Sequence, residues 1–364
     1  MTDERSAAPD DGAWMRRALA LAERGWGQTA PNPMVGAVVV RDGVVVGEGW
    51  HAHYGGPHAE VEALRAAGDR ARGATLYVSL EPCNHFGKTP PCTDAILAAG
   101  VRRVVAASAD PSPVARGGAD RLREAGIEVS LGVEEAAARE LNASFFHALS
   151  SDRPFVQLKL ALSLDGALAD RSRQPGWLTG ELARREVHRL RAGVDAVAVG
   201  IGTVLADDPE LTVRHATPPR VPPLRVVFDT SARLPRTSKL AHTASQVPVT
   251  VVCWAPEPAH AAALEHTGVT LLHAATSRDA LVALRERGVR SLLVEGGAAL
   301  ASALLQEALV DRLVIFRAPL VLGSGALNAF GSVPGTRVGD APRWRLLRSQ
   351  RFEDDEMSVY APPI

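Results

Sequence analysis

The sequence predicts an α/β protein of two domains. Short apolar strands alternate with segments of helical periodicity along nearly the whole chain, a pattern typical of α/β layer architectures. The chain has 364 residues, which suits two domains of ordinary size. A polar segment that ends in proline interrupts the alternation at 150–154. We therefore expect a disordered tail over 1–12, a first domain over 13–150 and a second domain over 151–364.

The elements of the first domain follow from periodicity and turn residues. Apolar residues recur with helical spacing from residue 13, and a β-branched run is followed by Asp42-Gly43, a dipeptide typical of hairpin turns. A buried strand at 75–80 leads into a loop rich in Pro, Gly and Asn. The predicted helices are 13–24, 58–67, 93–99, 117–125 and 134–148, and the predicted strands are 35–40, 44–49, 75–80, 101–108 and 127–131.

The second domain repeats the alternation. Aromatic residues make up only 5% of the chain, so its core must rest mainly on Val, Leu, Ile and Ala. The predicted strands are 155–163, 195–200, 224–229, 248–254, 291–296 and 312–319, the predicted helices are 181–192, 278–287 and 297–306, and a terminal strand pair is predicted within 343–361.

Composition excludes several classes of partner. Forty basic residues nearly balance 41 acidic ones, so the net charge of -1 creates no field that would attract nucleic acid or a lipid surface. The N-terminal segment is polar and acidic and lacks the features of a signal peptide, and no apolar run reaches the roughly 18–20 residues that span a bilayer. Three cysteines are too few for a disulfide framework. We expect a cytoplasmic protein that acts on a small molecule, with neither nucleic acid nor membrane as a partner.

Three side chains form a candidate metal site. His58 opens a predicted helix, Cys83 follows a predicted strand, and Cys92 precedes another predicted helix. One histidine and two cysteines suit zinc, and three protein ligands leave the fourth tetrahedral position to water, as in catalytic zinc sites. Each residue taken alone could be an ordinary buried side chain. Their combination, with Pro82 before Cys83, favours zinc.

Glu60 is the predicted catalytic residue. It lies two positions after His58, where a carboxylate can take a proton from the attacking water and deliver it to a leaving amine. His-x-Glu followed by Pro-Cys is typical of zinc nucleobase deaminases, but here eight residues rather than two separate the cysteines. Asn32, His51 and Lys88 are further candidates for substrate contact, although His51 could equally be a solvated loop residue.

Several segments together resemble one enzyme family. They are PNPMVGAVVV (31–40), GEGWHAHYGGPHAE (47–60) and EPCNHFGKTPPC (81–92) in the first domain, and 153–169, 177–180, 188–214 and 292–300 in the second. The first three closely resemble the deaminase half of the bifunctional riboflavin-biosynthesis deaminase/reductase family, whose mark is the long loop between the two cysteines. The others resemble its reductase half. The resemblance covers about 13–360.

The resemblance implies a fold and two activities. The expected folds are a cytidine-deaminase-like α/β/α layer domain followed by a dihydrofolate-reductase-like α/β domain. The expected reactions are zinc-dependent deamination of 2,5-diamino-6-(5-phosphoribosylamino)pyrimidin-4(3H)-one and NADPH-dependent reduction of the ribosyl group to ribityl. The expected cofactors are one Zn²⁺ and NADPH, the substrate is a small phosphorylated pyrimidine, and the chain is expected to form a homo-oligomer. Two alternatives are a deaminase whose C-terminal domain is only an oligomerisation scaffold, and a zinc-stabilised binding protein without turnover.

The NADPH site is predicted from one strand–helix junction and from the resemblance. Two Gly-x-Gly stretches lack the third glycine of a Rossmann fingerprint, so that fold is set aside. In SLLVEGG a strand ends at Glu295 and a helix follows two glycines, which suits a pyrophosphate but is also an ordinary turn. By resemblance, the NADPH-contacting positions are Ala161, Trp177, Thr203, Asp207, Thr230, Gly297, Ala298, Ala299, Leu300, Ala301, Ser302 and Ala303.

The substrate positions of the reductase half also follow from the resemblance. They are Pro175, Arg191, Leu211, Arg214 and Glu295. A guanidinium binds phosphate through two hydrogen bonds, so Arg191 and Arg214 are expected to form a phosphate clamp. Lys159 and Asp165, which flank a predicted strand end, are candidate polar organisers of hydride transfer. The chain departs from the family pattern in one loop of the first domain, where Ser112 replaces Asn and Arg116 replaces Gly.

Overall fold

The computed structural model describes residues 11–173 and 176–363, and the chain divides into two compact units between Ser150 and Ser151. The predicted tail lies outside the described residues up to position 10, and its last two residues begin the first helix. Pro175, a predicted substrate contact, also lies outside the described residues. Within 11–173 and 176–363, no helix has the length and apolar character needed to cross a membrane.

The first unit is a mixed five-stranded sheet between two layers of helices. Its helices are α1 Asp11–Ala22, α2 Ala59–Ala67, α3 Cys92–Ala99, α4 Gly118–Glu124, α5 Glu135–Leu141 and α6 Ala143–Ala148, and its strands are β1 Gly36–Arg41, β2 Val44–Trp50, β3 Thr75–Val78, β4 Arg103–Ala106 and β5 Glu128–Leu131. The strand order is β2-β1-β3-β4-β5, with β1 antiparallel to β2 and β3, and β3, β4 and β5 parallel. The predicted hairpin at Asp42-Gly43 is confirmed.

Different helices pack against the apolar side chains on the two faces of this sheet. Leu64 of α2, Ile96 of α3 and Leu122 of α4 pack with the strands on one face. Met15 of α1 and Ala138 of α5 pack on the other. The α/β/α layering predicted for this domain is therefore confirmed.

Two glycines of β2 bring α2 into direct contact with the sheet. A Cβ atom at Gly47 would lie 2.2 Å from the carbonyl oxygen of Ala63, and one at Gly49 would lie 2.5 Å from that of Ala59. Only glycine allows backbones to approach this closely. The sheet thus fixes the position of the α2 N-terminus.

The predicted helix at 134–148 is wrong in one respect, because it is divided at Asn142. The Asn142 side chain turns away from the helix to bind a distant part of the backbone. Its Oδ1 accepts a hydrogen bond from the Met34 nitrogen at 2.8 Å, and its Nδ2 donates to the Met34 oxygen at 2.9 Å. A buried asparagine with such partners competes with helical hydrogen bonding.

The second unit contains a nine-stranded sheet and a two-stranded ribbon. Its strands are β6 Phe155–Leu162, β7 Ala167–Ala169, β8 Ala196–Gly200, β9 Leu224–Phe228, β10 Val249–Cys253, β11 Thr270–His273, β12 Ser291–Glu295, β13 Arg312–Arg317, β14 Leu327–Asn328, β15 Arg345–Phe352 and β16 Asp355–Ala361. Its helices are α7 Glu181–Ala192, α8 Ile201–Asp207, α9 Lys239–His242, α10 Pro258–Glu265, α11 Ser277–Glu286 and α12 Ala298–Gln306. The order of the large sheet is β11-β10-β9-β8-β12-β6-β13-β16-β15.

Most of this large sheet is parallel, from β11 through to β13, and the predicted terminal pair β15 and β16 adds an antiparallel edge. The sequence did not predict β7, β14, β11, α8, α9 or α10. Because β6, β8 and β12 are parallel neighbours, their carboxyl ends meet at one edge of the sheet. Ligands of open α/β sheets bind at such an edge.

Candidate active sites

The predicted metal ligands of the first unit converge from three elements. His58 precedes α2, Cys92 is the first residue of α3, and Cys83 lies in the loop that follows β3. One donor atom from each lies within 4.8 Å of the others, and no second such group of His, Cys, Asp or Glu occurs in the described chain. His58 Nδ1 is 3.2 Å from Cys92 Sγ and 3.5 Å from Cys83 Sγ.

The geometry and chemistry of this cluster fit zinc. Zinc bonds of about 2.1 Å to nitrogen and 2.3 Å to sulfur separate tetrahedral ligand atoms by about 3.6 Å. The Cys92 thiol donates to Cys83, which lowers the pKa of Cys83 to about 4, and the same hydrogen bond together with burial raises that of Cys92. The Cys92 backbone N–H, at the start of α3, also donates to Cys83 Sγ at 3.4 Å. Both shifts favour loss of the first proton of the pair from Cys83.

Glu60 lies beside these ligands on the first turn of α2. Only 3% of its surface is exposed, and burial raises the pKa of its carboxyl group to about 7. A carboxyl group with a pKa near the working pH can both accept and return a proton.

A cavity of about 290 Å³ connects the metal cluster with the other predicted contacts. Asn32, His51 and Lys88 all line it, together with Glu60. Asn32 Nδ2 lies 3.3 Å from His51 Nε2, and Lys88 Nζ lies 4.1 Å from the centre of the Tyr54 ring. The structure therefore brings all three residues to one site, although their contact with substrate stays a prediction.

His51 has a defined hydrogen-bonding role. Its Nδ1 lies 3.0 Å from the Pro57 oxygen, so it donates there, and Nε2 accepts from Asn32. Burial lowers the pKa of His51, in keeping with a neutral ring. The alternative of a solvated loop residue does not fit, because 2% of His51 is exposed.

Sequence reasoning missed a buried carboxyl group in the same cavity. Asp110 follows β4, and burial raises its pKa to about 6. Its Oδ1 accepts from the Ser112 nitrogen at 2.8 Å. The position of Asp-Pro after a predicted strand was the available signal. Ser112 also lines the cavity, and its oxygen accepts from the Arg116 nitrogen at 3.0 Å, so the divergent loop forms a closed turn.

In the second unit, two of the predicted NADPH segments touch. Thr203 lies in α8 directly after β8, and Gly297 lies between β12 and α12. A Cβ atom at Gly297 would lie 3.2 Å from Thr203 Oγ1, and Gly297 has a φ of +84°, so this junction requires glycine. The remaining predicted positions flank the same edge of the sheet or its loops: Ala161 in β6, Asp207 at the end of α8, Thr230 after β9, and Ala298, Ala299, Leu300, Ala301, Ser302 and Ala303 in α12.

Trp177 has a distinct setting, because 78% of its surface is exposed. The Arg184 guanidinium lies 5.2 Å from the centre of its ring. A large exposed aromatic ring near a cationic group is available to stack on a ligand.

Both predicted phosphate-clamp residues already bind carboxylates. Arg191 binds Glu295 through two hydrogen bonds, of 2.5 Å from Nε and 2.9 Å from Nη2, and donates from Nη1 to the Thr212 oxygen at 2.8 Å. Arg214 binds Glu210 at 2.5 Å. An anion at Arg214 would therefore have to compete with Glu210, and the clamp stays a prediction.

A group of charges surrounds the Arg191–Glu295 pair. Lys159 is the register partner of Glu295 in the neighbouring strand, and burial lowers its pKa. Burial alone would raise the pKa of Glu295, yet the Arg191 guanidinium brings it below its ordinary value. By contrast, Asp165 is committed to a loop: its carboxylate accepts from Ser163 Oγ at 2.6 Å and the Gly323 nitrogen at 2.8 Å, which lowers its pKa to about 2.

His188, which sequence reasoning did not single out, holds the predicted substrate segment. It lies one helical turn before Arg191, and its Nδ1 accepts from the Arg214 backbone nitrogen at 3.0 Å. Burial, followed by the charges of Arg191 and Arg214, lowers the pKa of His188 to about 4. The segment that Arg191 and His188 hold, residues 211–214, begins with Leu211, which is buried and has a φ of +54°. Two side chains of α7 thus fix a segment with a strained backbone.

The fold and the metal cluster define a class: a zinc-binding deaminase domain joined to a second α/β domain. Residues 9–108 match the family described as the cytidine and deoxycytidylate deaminase zinc-binding region, and residues 154–357 match the family described as the RibD C-terminal domain. The chain belongs to the RibD family of riboflavin biosynthesis proteins.

Similar proteins support this assignment over most of their length. The chain is 45% identical to riboflavin biosynthesis protein RibD of Aquifex aeolicus, covering 86% of this chain and 88% of that protein. It is 43% identical to RibD of Escherichia coli, and the match covers 95% of this chain and 97% of that protein. The structure of Acinetobacter baumannii RibD superposes with a TM-score of 0.82 at 40% identity. The match covers 97% of this chain and 99% of that one.

Membership of this family confirms the predicted combination of activities. The chain is a bifunctional enzyme with a zinc-dependent deaminase domain and a reductase domain that uses NADPH. Both family matches are present in one chain, so the alternative of a deaminase with a non-catalytic C-terminal scaffold is not favoured.

Proposed function

We propose that the first unit hydrolyses the 2-amino group of 2,5-diamino-6-(5-phosphoribosylamino)pyrimidin-4(3H)-one and that the second unit reduces the ribosyl group of the product with NADPH. The observation that carries the first step is the buried Glu60, which lines one cavity with His58 and Cys83, while Cys92 converges on the same two ligands from α3. A Thermotoga maritima protein described as a diaminohydroxyphosphoribosylaminopyrimidine deaminase/5-amino-6-(5-phosphoribosylamino)uracil reductase is 36% identical, with a TM-score of 0.82, and covers 97% of this chain and 98% of its own.

In the deaminase site, each side chain has a proposed task. His58, Cys83 and Cys92 would hold zinc, which supplies activation of the attacking water. Glu60 takes a proton from that water as oxygen adds to C2 of the pyrimidine, and delivers it to the amino group, which leaves as ammonia. Asn32, His51 and Lys88 are proposed to orient the substrate, since they line the same cavity.

In the reductase site, the chain's proposed task is to bind and orient. NADPH supplies the hydride. The backbone at Gly297 and Thr203 is proposed to approach the cofactor phosphates, because this strand–helix junction leaves amide groups at a helix N-terminus. Arg191 and Glu295, which are hydrogen-bonded to each other, are proposed to contact the substrate.

We also propose that the chain forms a homo-oligomer in the cytoplasm and binds neither nucleic acid nor membrane. The proposed oligomer rests on the resemblance to the family. None of the three cysteines, all within the described residues, forms a disulfide, as expected in a reducing compartment. Light scattering on purified protein tests the assembly, and a monomer at micromolar concentration would contradict it.

Incubation of the purified protein with the diaminopyrimidine nucleotide, with and without NADPH, tests the two reactions. We expect ammonia and the uracil nucleotide without NADPH, and the ribityl product with it, identified by mass. Glu60→Gln should lower deamination by about 10³-fold, because it removes the proton carrier. The same variant should reduce added uracil nucleotide at the wild-type rate. Deamination by Glu60→Gln at the wild-type rate would overturn the mechanism.

A further inference from the structure

Arg121 of α4 joins the two cysteine segments of the metal cluster. Its Nη1 donates to Asn84 Oδ1 and to Thr93 Oγ1, both at 2.9 Å. Thr93 Oγ1 in turn donates to Asn84 Oδ1 at 3.1 Å. Asn84 directly follows Cys83, and Thr93 directly follows Cys92. A single guanidinium thus closes the loop between the cysteines at its base.

The helix that carries Arg121 is itself fixed to the same loop. The Glu81 carboxylate accepts from the Ala119 nitrogen at 2.9 Å and from the Asp110 nitrogen at 3.0 Å. A Cβ atom at Gly118 would lie 1.8 Å from the Pro82 oxygen, so α4 lies directly on the segment before Cys83. Arg121 therefore extends from a helix that is packed against, and hydrogen-bonded to, the segment before Cys83.

We propose that Arg121 is a positioning residue that holds Cys83 and Cys92 at the separation that zinc requires. The loop between them includes Gly87 and several exposed residues, so without the guanidinium its ends have more freedom. Ordering them would then oppose metal binding. Residues that orient metal ligands from outside the coordination sphere typically change metal affinity by about 10–100-fold when replaced.

The competing interpretation is an ordinary surface ion pair. Arg121 Nη2 also binds Asp94 Oδ1 at 2.5 Å, and the two side chains are 38% and 40% exposed. Such an exposed pair contributes little to folding and nothing specific to the metal. Two substitutions separate the interpretations: Arg121→Met removes all these bonds, whereas Asp94→Asn removes only the ion pair.

The test measures zinc release from the purified, zinc-loaded full chain to an excess of a coloured chelator, without substrate. We expect Arg121→Met to release zinc about tenfold faster than wild type, and Asp94→Asn to release it within twofold of wild type. The matched control is Arg123→Met on the same helix, whose ion pair with Asp120 lies outside the cysteine segments; it too should release zinc at the wild-type rate.

A second measurement distinguishes positioning from general stability. The midpoint of thermal unfolding should fall more for zinc-loaded Arg121→Met than for the zinc-free variant, each relative to wild type, because the lost interaction acts through the metal. If Arg121→Met does not fold, Asn84→Ala and Thr93→Val, which remove the two acceptors, carry the same expectation. Release within twofold of wild type, an equal effect from Asp94→Asn, or equal losses of stability with and without zinc would each overturn the proposal. Because no substrate is used, these outcomes are independent of the proposed reactions.

Discussion

The two units prepare their functional side chains in opposite ways. In the first unit, the donor atoms of His58, Cys83 and Cys92 face one another, and a metal that binds there displaces only protons. In the second unit, the cationic groups expected to bind the substrate are already paired: Arg191 with Glu295, and Arg214 with a neighbouring carboxylate.

This difference has a physical consequence. Affinity at the metal site depends on how well the ligand geometry is fixed before binding. An anion that binds at the reductase site must replace a carboxylate as the ion-pair partner of an arginine. The carboxylates there therefore position the arginines and also lower the affinity for the anion. Substitutions in the second unit should therefore change substrate affinity by altering these ion pairs. Substitutions in the first unit should change zinc affinity by altering the geometry of the metal ligands.

Among substitutions in the second unit, the largest effect is expected from Glu295→Gln, which breaks the buried pair with Arg191. Removing one partner leaves an uncompensated buried charge, so the second unit should lose about 3 kcal/mol of unfolding free energy, and the reductase kcat/KM should fall about 100-fold. Denaturant unfolding and NADPH oxidation with the uracil nucleotide measure the two effects. The control is Glu181→Gln, which breaks the exposed pair with Arg185 on the same helix and should retain at least half of the activity. A Glu295→Gln enzyme within threefold of wild type would contradict the role of the pair.

A smaller effect is expected from His188, which holds the backbone of Arg214. His188→Leu removes the acceptor and should raise the reductase KM for the uracil nucleotide about fivefold, with kcat and deaminase activity little changed. His188→Asn places an amide oxygen near the position of Nδ1 and should restore most of the affinity. Equal KM values for the Leu variant and wild type would show that the segment is held without His188.

His188 also predicts a pH dependence of stability. Its folded-state pKa of about 4 lies below the ordinary value of 6.5, so the unfolded chain takes up this proton first. The neutral ring therefore contributes its full stability above about pH 6.5, and this contribution is lost as the pH falls toward 4. Arg191, Arg214 and His215 lower this pKa and Glu295 raises it. The unfolding midpoint of His188→Asn should fall less over this pH range than that of wild type. Parallel curves would be inconsistent with a buried neutral His188.

The smallest effect is expected from Glu210→Gln, which frees the partly exposed Arg214 from its carboxylate. If the substrate phosphate competes with Glu210, its KM in the reductase reaction should fall about two- to threefold, which is the scale of an exposed ion pair. Steady-state kinetics at low and high salt provide the measurement, and the gain should shrink at high salt. A raised KM would instead mean that Glu210 positions Arg214 for substrate.

The sequence predicted the metal site well because its information is local. His58 and Glu60 lie two positions apart at the start of one helix, and each cysteine adjoins a recognisable turn or helix start. The long strands and the longer helices of the second unit were predicted for the same reason. Their apolar periodicity is present in the segment itself.

Features that depend on distant residues were not predictable. The division of the last helix of the first unit depends on the bonds between Asn142 and Met34, and the role of His188 depends on Arg214. The pairing of Arg191 with Glu295 joins a helix to a strand 104 positions away. Short elements such as β7 and β14 form only because they pair with each other, so neither has a pattern of its own.

The direct contact of α2 with β2 at Gly47 and Gly49 has a consequence for metal exchange. Because the sheet, not the metal, places the start of α2, we expect the backbone that carries His58 to keep its position when the site is emptied. The emptied protein should therefore accept Co²⁺ in the same ligand set, since cobalt shares the tetrahedral preference and binds such ligands more weakly than zinc. The visible absorption of a cobalt–thiolate centre would then give the deaminase unit a spectroscopic reporter that the reductase unit does not disturb.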